Sequence, residues 1–225
     1  RTSSANNNAN LFIINPNGIS FGPRGGLDIG GSFVATTADA IQFGNIGSFS
    51  TTNTSNDPAL LTVAPSAFVF SQNAPQPIIN QSIAPNPTSS FIIDGLRVQE
   101  GRSLVLLGGN VILERAPDST TDLRVQAPGG QIELGGVRSS STVGLDINSD
   151  NLSLSYEKGA LLADIVINDA RLEVSSRSGN RAGDITINAN NLSINTSNLS
   201  SRTRSVEDAG DIFIRAERSV NLLFS

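Results

Sequence analysis

The sequence predicts an all-β chain wound as a parallel β-helix, a solenoid with hairpin and loop excursions. Three observations carry that expectation. Long runs of Ala, Leu, Glu and Lys are missing, and Gly, Asn, Ser and Thr interrupt every apolar stretch. Short β-branched segments alternate apolar and polar residues with period two, as in Asp184-Ile185-Thr186-Ile187-Asn188. A block of small, polar, aliphatic, any and aliphatic residues recurs as GNVIL, GQIEL, ADIVI, GDITI and GDIFI, starting at 109, 130, 163, 183 and 210. Its intervals of 21, 33, 20 and 27 residues suit a solenoid, whose units bury their apolar faces only by stacking on neighbours. A β-sandwich or barrel is the alternative.

Taken in order, the first ten residues, RTSSANNNAN, read as a polar loop. The stretch NLFIINPNGISFG, residues 10 to 22, then gives strand, turn and strand. Pro16 presets φ for the second position of a β-turn, Asn17 tolerates the third and Gly18 suits the fourth. The Asn15 side chain can close an Asx-turn over the bend. Phe12 and Ile14 are expected to lie under an extra hairpin or under preceding coils. Residues 71–90, SQNAPQPIINQSIAPNPTSS, carry four of the ten prolines and almost no charge. Proline cannot donate to a β-ladder, so this stretch is expected to be a linker or loop leaving the solenoid.

Coils are expected from about Phe91 onward, with the 33-residue interval holding an extra loop within 139–150. Ile185, Ile187 and Ala189 would point inward, above them Ile212, Ile214 and Ala216. Leu192 and Ile194 would be matched by Val220 and Leu222, one residue out of step. Asn168 and Asn188 would stack as an amide ladder ended by Arg215. Asp164, Asp184 and Asp211 would form an outward column, either solvated or sharing a hard cation such as Ca²⁺. Asp146 with Asp150 is a further carboxylate pair.

Composition narrows the chemistry. The 225 residues include no Cys, Met, His or Trp. Disulfides, thiolate metal sites and Ser-His-Asp, Cys-His or HExxH catalysis are therefore impossible. A net charge of −5 with Lys158 the only lysine argues against nucleic acid and anionic membranes as partners. No segment approaches the roughly 18 consecutive apolar residues of a membrane helix. The chain opens on Arg1 and closes on SVNLLFS within an unfinished coil, and is expected to be a piece of a longer protein.

NLFIINPNGISFG, LDIGGSFVATTADAIQFG (27 to 44) and LLTVAPSAFVF (60 to 70) together resemble the secretion domain of two-partner-secretion exoproteins. This is the haemagglutination-activity domain of the filamentous-haemagglutinin family, and the likeness is greatest to its large cyanobacterial members. GLRVQEGRSLVLLGGNVILE (95 to 114) and APGGQIELGGV (127 to 137) resemble the coils that follow it. The family's upstream NPNL-type motif has no match before Asn15.

The resemblance implies a right-handed parallel β-helix, secreted or displayed on the cell surface of a Gram-negative cell. It also implies a TpsB-type outer-membrane transporter as partner, whose periplasmic domains recognise the secretion domain. Asn15, Pro16, Asn17, Gly18 and Ile19 would be the recognition or nucleation element. Residues 1–72 would be the C-terminal portion of that domain, 73–90 the Pro-rich linker or loop, and 91–225 coils continuing into a missing region. The whole protein would act as an adhesin or haemagglutinin on a host or cell-surface glycan or protein. No cofactor, metal, catalytic site or membrane insertion is expected. The alternatives are a secreted β-helix polysaccharide lyase or hydrolase, which needs a carboxylate-lined groove with a basic residue beside it and would be favoured by an Asp/Arg cluster on one lateral face, and a structural surface-layer component.

Overall fold

The computed structural model describes residues 8–52, 63–86, 89–93, 95–148, 151–176, 181–203 and 206–223. Every regular element in it is a strand. The chain winds so that strands of like position stack in parallel on three faces, as in a parallel β-helix. Face A stacks β1 (Leu11–Ile14), β3 (Phe33–Thr36), β11 (Ser103–Gly108) and β14 (Gln131–Gly136), then the first halves of β19 (Asp184–Asn195) and β21 (Ile212–Leu223). Face B stacks β2 (Ile19–Phe21), β7 (Ile78–Asn80), β12 (Val111–Glu114) and β17 (Ile165–Asn168) under the second halves of β19 and β21. Face C stacks β10 (Leu96–Arg97), β13 (Leu123–Gln126), β18 (Ala170–Glu173) and β20 (Asn198–Ser200). Because β19 and β21 run through the A–B corner unbroken, these two faces form one ten-stranded sheet.

In-register stacking turns period-two alternation into columns. Phe33, Leu104, Ile132 and Ile185 form one inward column of face A, and Ala35, Leu106, Leu134 and Ile187 the next. Ile78, Val111, Ile165 and Leu192 do the same on face B. Ile212, Ile214 and Ala216 stack over Ile185, Ile187 and Ala189 as expected. Val220 and Leu222 stack over Leu192 and Ile194, with the extra residue absorbed between Ala189 and Asn191.

The recurrent block does not mark one position in the coil. GQIEL, GDITI and GDIFI open face A, whereas GNVIL and ADIVI open face B. The intervals of 21, 33 and 20 therefore mix two faces; the true rise from Ile185 to Ile212, or from Ile165 to Leu192, is 27 residues. For the same reason Asn168 does not stack on Asn188. Its partner is Asn195, whose Nδ2 donates to Asn168 Oδ1 at 2.6 Å, while Asn188 lies between Gly135 and Arg215.

The Pro-rich stretch also differs from expectation. Pro75 and Pro77 precede a three-residue strand, β7, that sits inside face B between β2 and β12. Proline removes only its own donor, and the Ile78 N–H is free to reach Asn110 O at 2.9 Å. Ile78, Asn80 and Ser82 are fully buried. A short antiparallel pair, β8 (Pro85–Asn86) and β9 (Ser89–Ile93), follows.

Two excursions leave the A–B corner. One carries β4 (Ala40–Phe43), β5 (Gly47–Ser50) and β6 (Ala67–Phe70); the other is the hairpin β15 (Ser141–Asn148) and β16 (Asn151–Tyr156). This hairpin lies where the extra loop is expected and extends beyond it, to Tyr156. The excursions join as one antiparallel sheet, ordered β16-β15-β6-β4-β5. A second core, with Phe68, Phe70, Ile41, Val143, Leu145 and Leu152, packs it against the outward side chains Val34, Val105 and Leu107 of face A. Phe12 and Ile14 pack under this sheet, the Phe12 and Phe68 ring centroids 6.4 Å apart.

Candidate functional site

The NPNGI stretch is the A–B corner of the first coil, joining β1 to β2. The Gly18 N–H donates to Asn15 O at 3.1 Å, which closes a β-turn with Pro16 and Asn17 in the middle. The Asn15 side chain serves both ends of the bend: Oδ1 accepts from Asn17 N at 3.1 Å and Nδ2 donates to Gly18 O at 3.0 Å. Gly18 has φ +99°, a region open to glycine and strained for other residues. Asn15 and Asn17 are exposed, Pro16 and Gly18 half-buried, and Ile19 begins β2 against the main core. Structure and exposure thus fall on different atoms. Asn15 spends its amide on the turn, while the Asn17 side chain makes no hydrogen bond among the described residues and faces solvent.

The turn is anchored to what lies above it. Asn15 N donates to Thr36 O at 3.0 Å, and Ile19 N donates to Pro77 O at 3.2 Å. Thr36 and Gln76 lie at the two ends of the first excursion, and Thr37 clasps them. Its Oγ1 donates to Gln76 O at 2.8 Å and accepts from Gly109 N at 3.3 Å, and its N–H donates to Leu107 O at 3.1 Å. Asp39 fixes the far side of the neck, its carboxylate accepting from Ser71 N at 2.7 Å and Gln72 Nε2 at 2.9 Å. Burial pushes the Asp39 carboxyl up, but the hydrogen bonds from Ser71 and Gln72 outweigh it and hold the group below its ordinary value. The GGSFVATTAD segment therefore closes the neck of an excursion directly above NPNGI. In the sequence this role is signalled only by two threonines and an aspartate ending an apolar strand.

The aspartate column forms only between Asp184 and Asp211, and Asp164 stands apart from it. Asp211 N donates to Asp184 Oδ1 at 2.8 Å, and Arg181 bridges both, at 3.0 Å to Asp184 and 3.9 Å to Asp211. Asp164 opens face B instead, where its Oδ1 accepts from Asn190 Nδ2, Asn191 N and Asn191 Nδ2 at 2.9 to 3.1 Å. The Asp184 and Asp164 carboxylates thus cap backbone and amide donors. Among the described residues, no group of three or more His, Cys, Asp or Glu is placed to hold a metal. Asp150, the polar opening residues 1–7 and the closing residues 224–225 lie outside the described residues.

A family model described as the TPS secretion domain matches residues 1–187. The chain belongs to the TPS secretion domain family. Comparison with curated proteins and with solved structures found no match. The TPS match runs through both excursions and the Pro-rich stretch and stops inside β19. It makes the protein a two-partner-secretion exoprotein, exported to the medium or the cell surface, of a family that is a secretion module and not an enzyme family. Among the described residues no helix is long and apolar enough to cross a membrane.

Proposed function

We propose that this TPS domain is the export and folding module of a surface protein, and that periplasmic domains of its outer-membrane transporter read the NPNGI corner. The observation that supports the reading is the division of labour within the turn. Asn15 makes the bend rigid from within, which leaves Asn17 and the edge of Pro16 as a preformed exposed patch beside the excursion neck. A preorganised loop loses little entropy on being bound. Adhesion to a host or cell-surface glycan or protein would then belong to the protein so delivered.

The split gives a test. Asn17→Ala removes no hydrogen bond within the chain, so the melting temperature should stay unchanged while export through the partner transporter falls several-fold. Asn15→Ala removes two, so it should lower both, the stability by about 1 kcal/mol. If export follows stability alone, with Asn17→Ala exported normally, the corner is structural only.

A further inference from the structure

Face C carries a groove of about 370 Å³ that crosses three successive rungs, β13, β18 and β20. Its polar walls include Arg124, Arg171 and Arg202 together with Asp122 and Glu173. Arg124 and Arg171 stand directly opposite each other in register, an arrangement in which like charges repel. Asp122 relieves one of them: Arg171 Nε donates to Asp122 Oδ2 at 2.9 Å. The guanidinium groups of Arg124 and Arg202 have no hydrogen-bond or ion-pair partner among the described residues, nor has the Glu173 carboxylate. The protein therefore holds two unpaired cationic forks two rungs apart, about 10 Å at roughly 4.8 Å per coil, with the paired Arg171 on the rung between them and a free acceptor beside it.

We infer that this groove binds an acidic polysaccharide, with one uronate carboxylate taken by Arg124, that of a sugar further along by Arg202, and hydroxyls between them by Glu173, Asn198 and Ser200. The rung spacing is close to the length of one sugar ring, so successive residues of a linear glycan meet successive coils. A guanidinium fork fits a carboxylate with two parallel hydrogen bonds, and the mixed donors and acceptors suit hydroxyls. Nucleic acid fits worse, because Asp122 and Glu173 face the same space and the chain carries a net charge of −5. A protein partner fits worse too, since the groove offers no aromatic or large aliphatic anchor. The groove binds without cleaving: guanidinium groups stay protonated and cannot serve as a base, and Asp122 is committed to Arg171.

The test is titration of the 225-residue chain with an oligogalacturonate and with its carboxyl-reduced counterpart, followed calorimetrically. The acidic oligosaccharide should bind, the reduced one at least tenfold more weakly. Arg124→Gln and Arg202→Gln should each weaken binding roughly tenfold at unchanged melting temperature, consistent with loss of a charge-assisted hydrogen bond. Arg97→Gln, on the same face but outside the groove, should leave binding unaltered. Equal affinity for both oligosaccharides, or no response to the two groove variants, overturns the assignment. Release of unsaturated or reducing-end products overturns the binding-only role in favour of a lyase or hydrolase. None of these outcomes bears on export, which is read separately.

Discussion

At the scale of single residues, Glu133 is the most exposed to a change of conditions, although it is almost wholly buried. It occupies an outward position of face A, in register with Val34 and Val105 below it and Thr186 above. The lower coils carry apolar side chains there because the antiparallel sheet covers them; Glu133 is the last rung under that cover. Gln131 Nε2 donates to its Oε1 at 2.6 Å, while Oε2 and the nearby Tyr156 hydroxyl have no hydrogen-bond partner among the described residues. Burial dominates and pushes the carboxyl up to about 8, opposed in part by the neighbouring polar groups of Thr186, Gln131 and the Leu154 backbone. Burial, reinforced by Glu133, also raises the Tyr156 hydroxyl. With its native pKa above its ordinary 4.5, Glu133 keeps a proton on folding that the unfolded chain has released. Its contribution to stability is fully present below about pH 4.5 and is lost as pH rises through about 8. The slope is about 1.4 kcal/mol per pH unit within that window. The midpoint of denaturant unfolding should therefore fall between about pH 5 and about pH 8, and Glu133→Gln should flatten that fall. A variant with the parent's pH slope would show that Glu133 titrates normally.

At the scale of elements, the recurrent glycines are sites of close approach between coils. A Cβ on Gly183 would fall on the carbonyl oxygen of Gly130, one on Gly210 on that of Gly183, and one on Gly130 on that of Arg102. Gly31 and Gly109 meet the carbonyls of Ala9 and Pro75 in the same way. Each lies two residues before the first inward apolar side chain of its strand, so the block is one local solution for entering a face. Gly183→Ala should destabilise by about 3 kcal/mol through overpacking, with a fall in the melting temperature of roughly 6–12 °C. An unchanged melting temperature would mean that the rungs can part freely. The same local solution explains what could be read from sequence. Ile185 and Ile212 were legible as one column because both the block and the 27-residue rise agree. GNVIL and GDITI were not separable, because faces A and B use the same entry chemistry and only pairing distinguishes them. The β7 strand was hidden because three residues between prolines carry no alternation to see. The NPNGI turn was legible down to its Asx hydrogen bond, since turn chemistry is local. The Thr37 clasp was not, because Gln76 and Gly109 lie 39 and 72 residues away.

At the scale of the molecule, the antiparallel sheet is built from two chain segments that cannot meet early. Ser141 of β15 pairs with Phe70 of β6, and β11 and β14 of face A come between them in sequence. Until the second hairpin arrives, Phe68 and Phe70 have one flank open, and so do Val105 and Leu107 beneath them. A chain that folds as it emerges would therefore complete this cover only after two further coils are in place, which makes the hairpin a latch on the region already wound. The latch can be removed without cutting a wall strand, because Val143 and Tyr156 are paired partners at the base of the hairpin. Excising residues 141–156 and closing the gap with a short Gly-Ser linker should leave the coils wound, since solenoid rungs are stabilised mainly by their neighbours. The loss should still be large. Val143, Leu145 and Leu152 are buried, and at about 1.5–3 kcal/mol for each such side chain the excision should lower stability by roughly 5 kcal/mol. It should also create an apolar patch that binds a hydrophobic dye, and restore an ordinary carboxyl to Glu133 by uncovering it. The excised protein should then show dye binding, a lower midpoint and a flat pH profile together. A lower midpoint with the pH slope retained would mean that Glu133 is buried by face A itself and not by the latch.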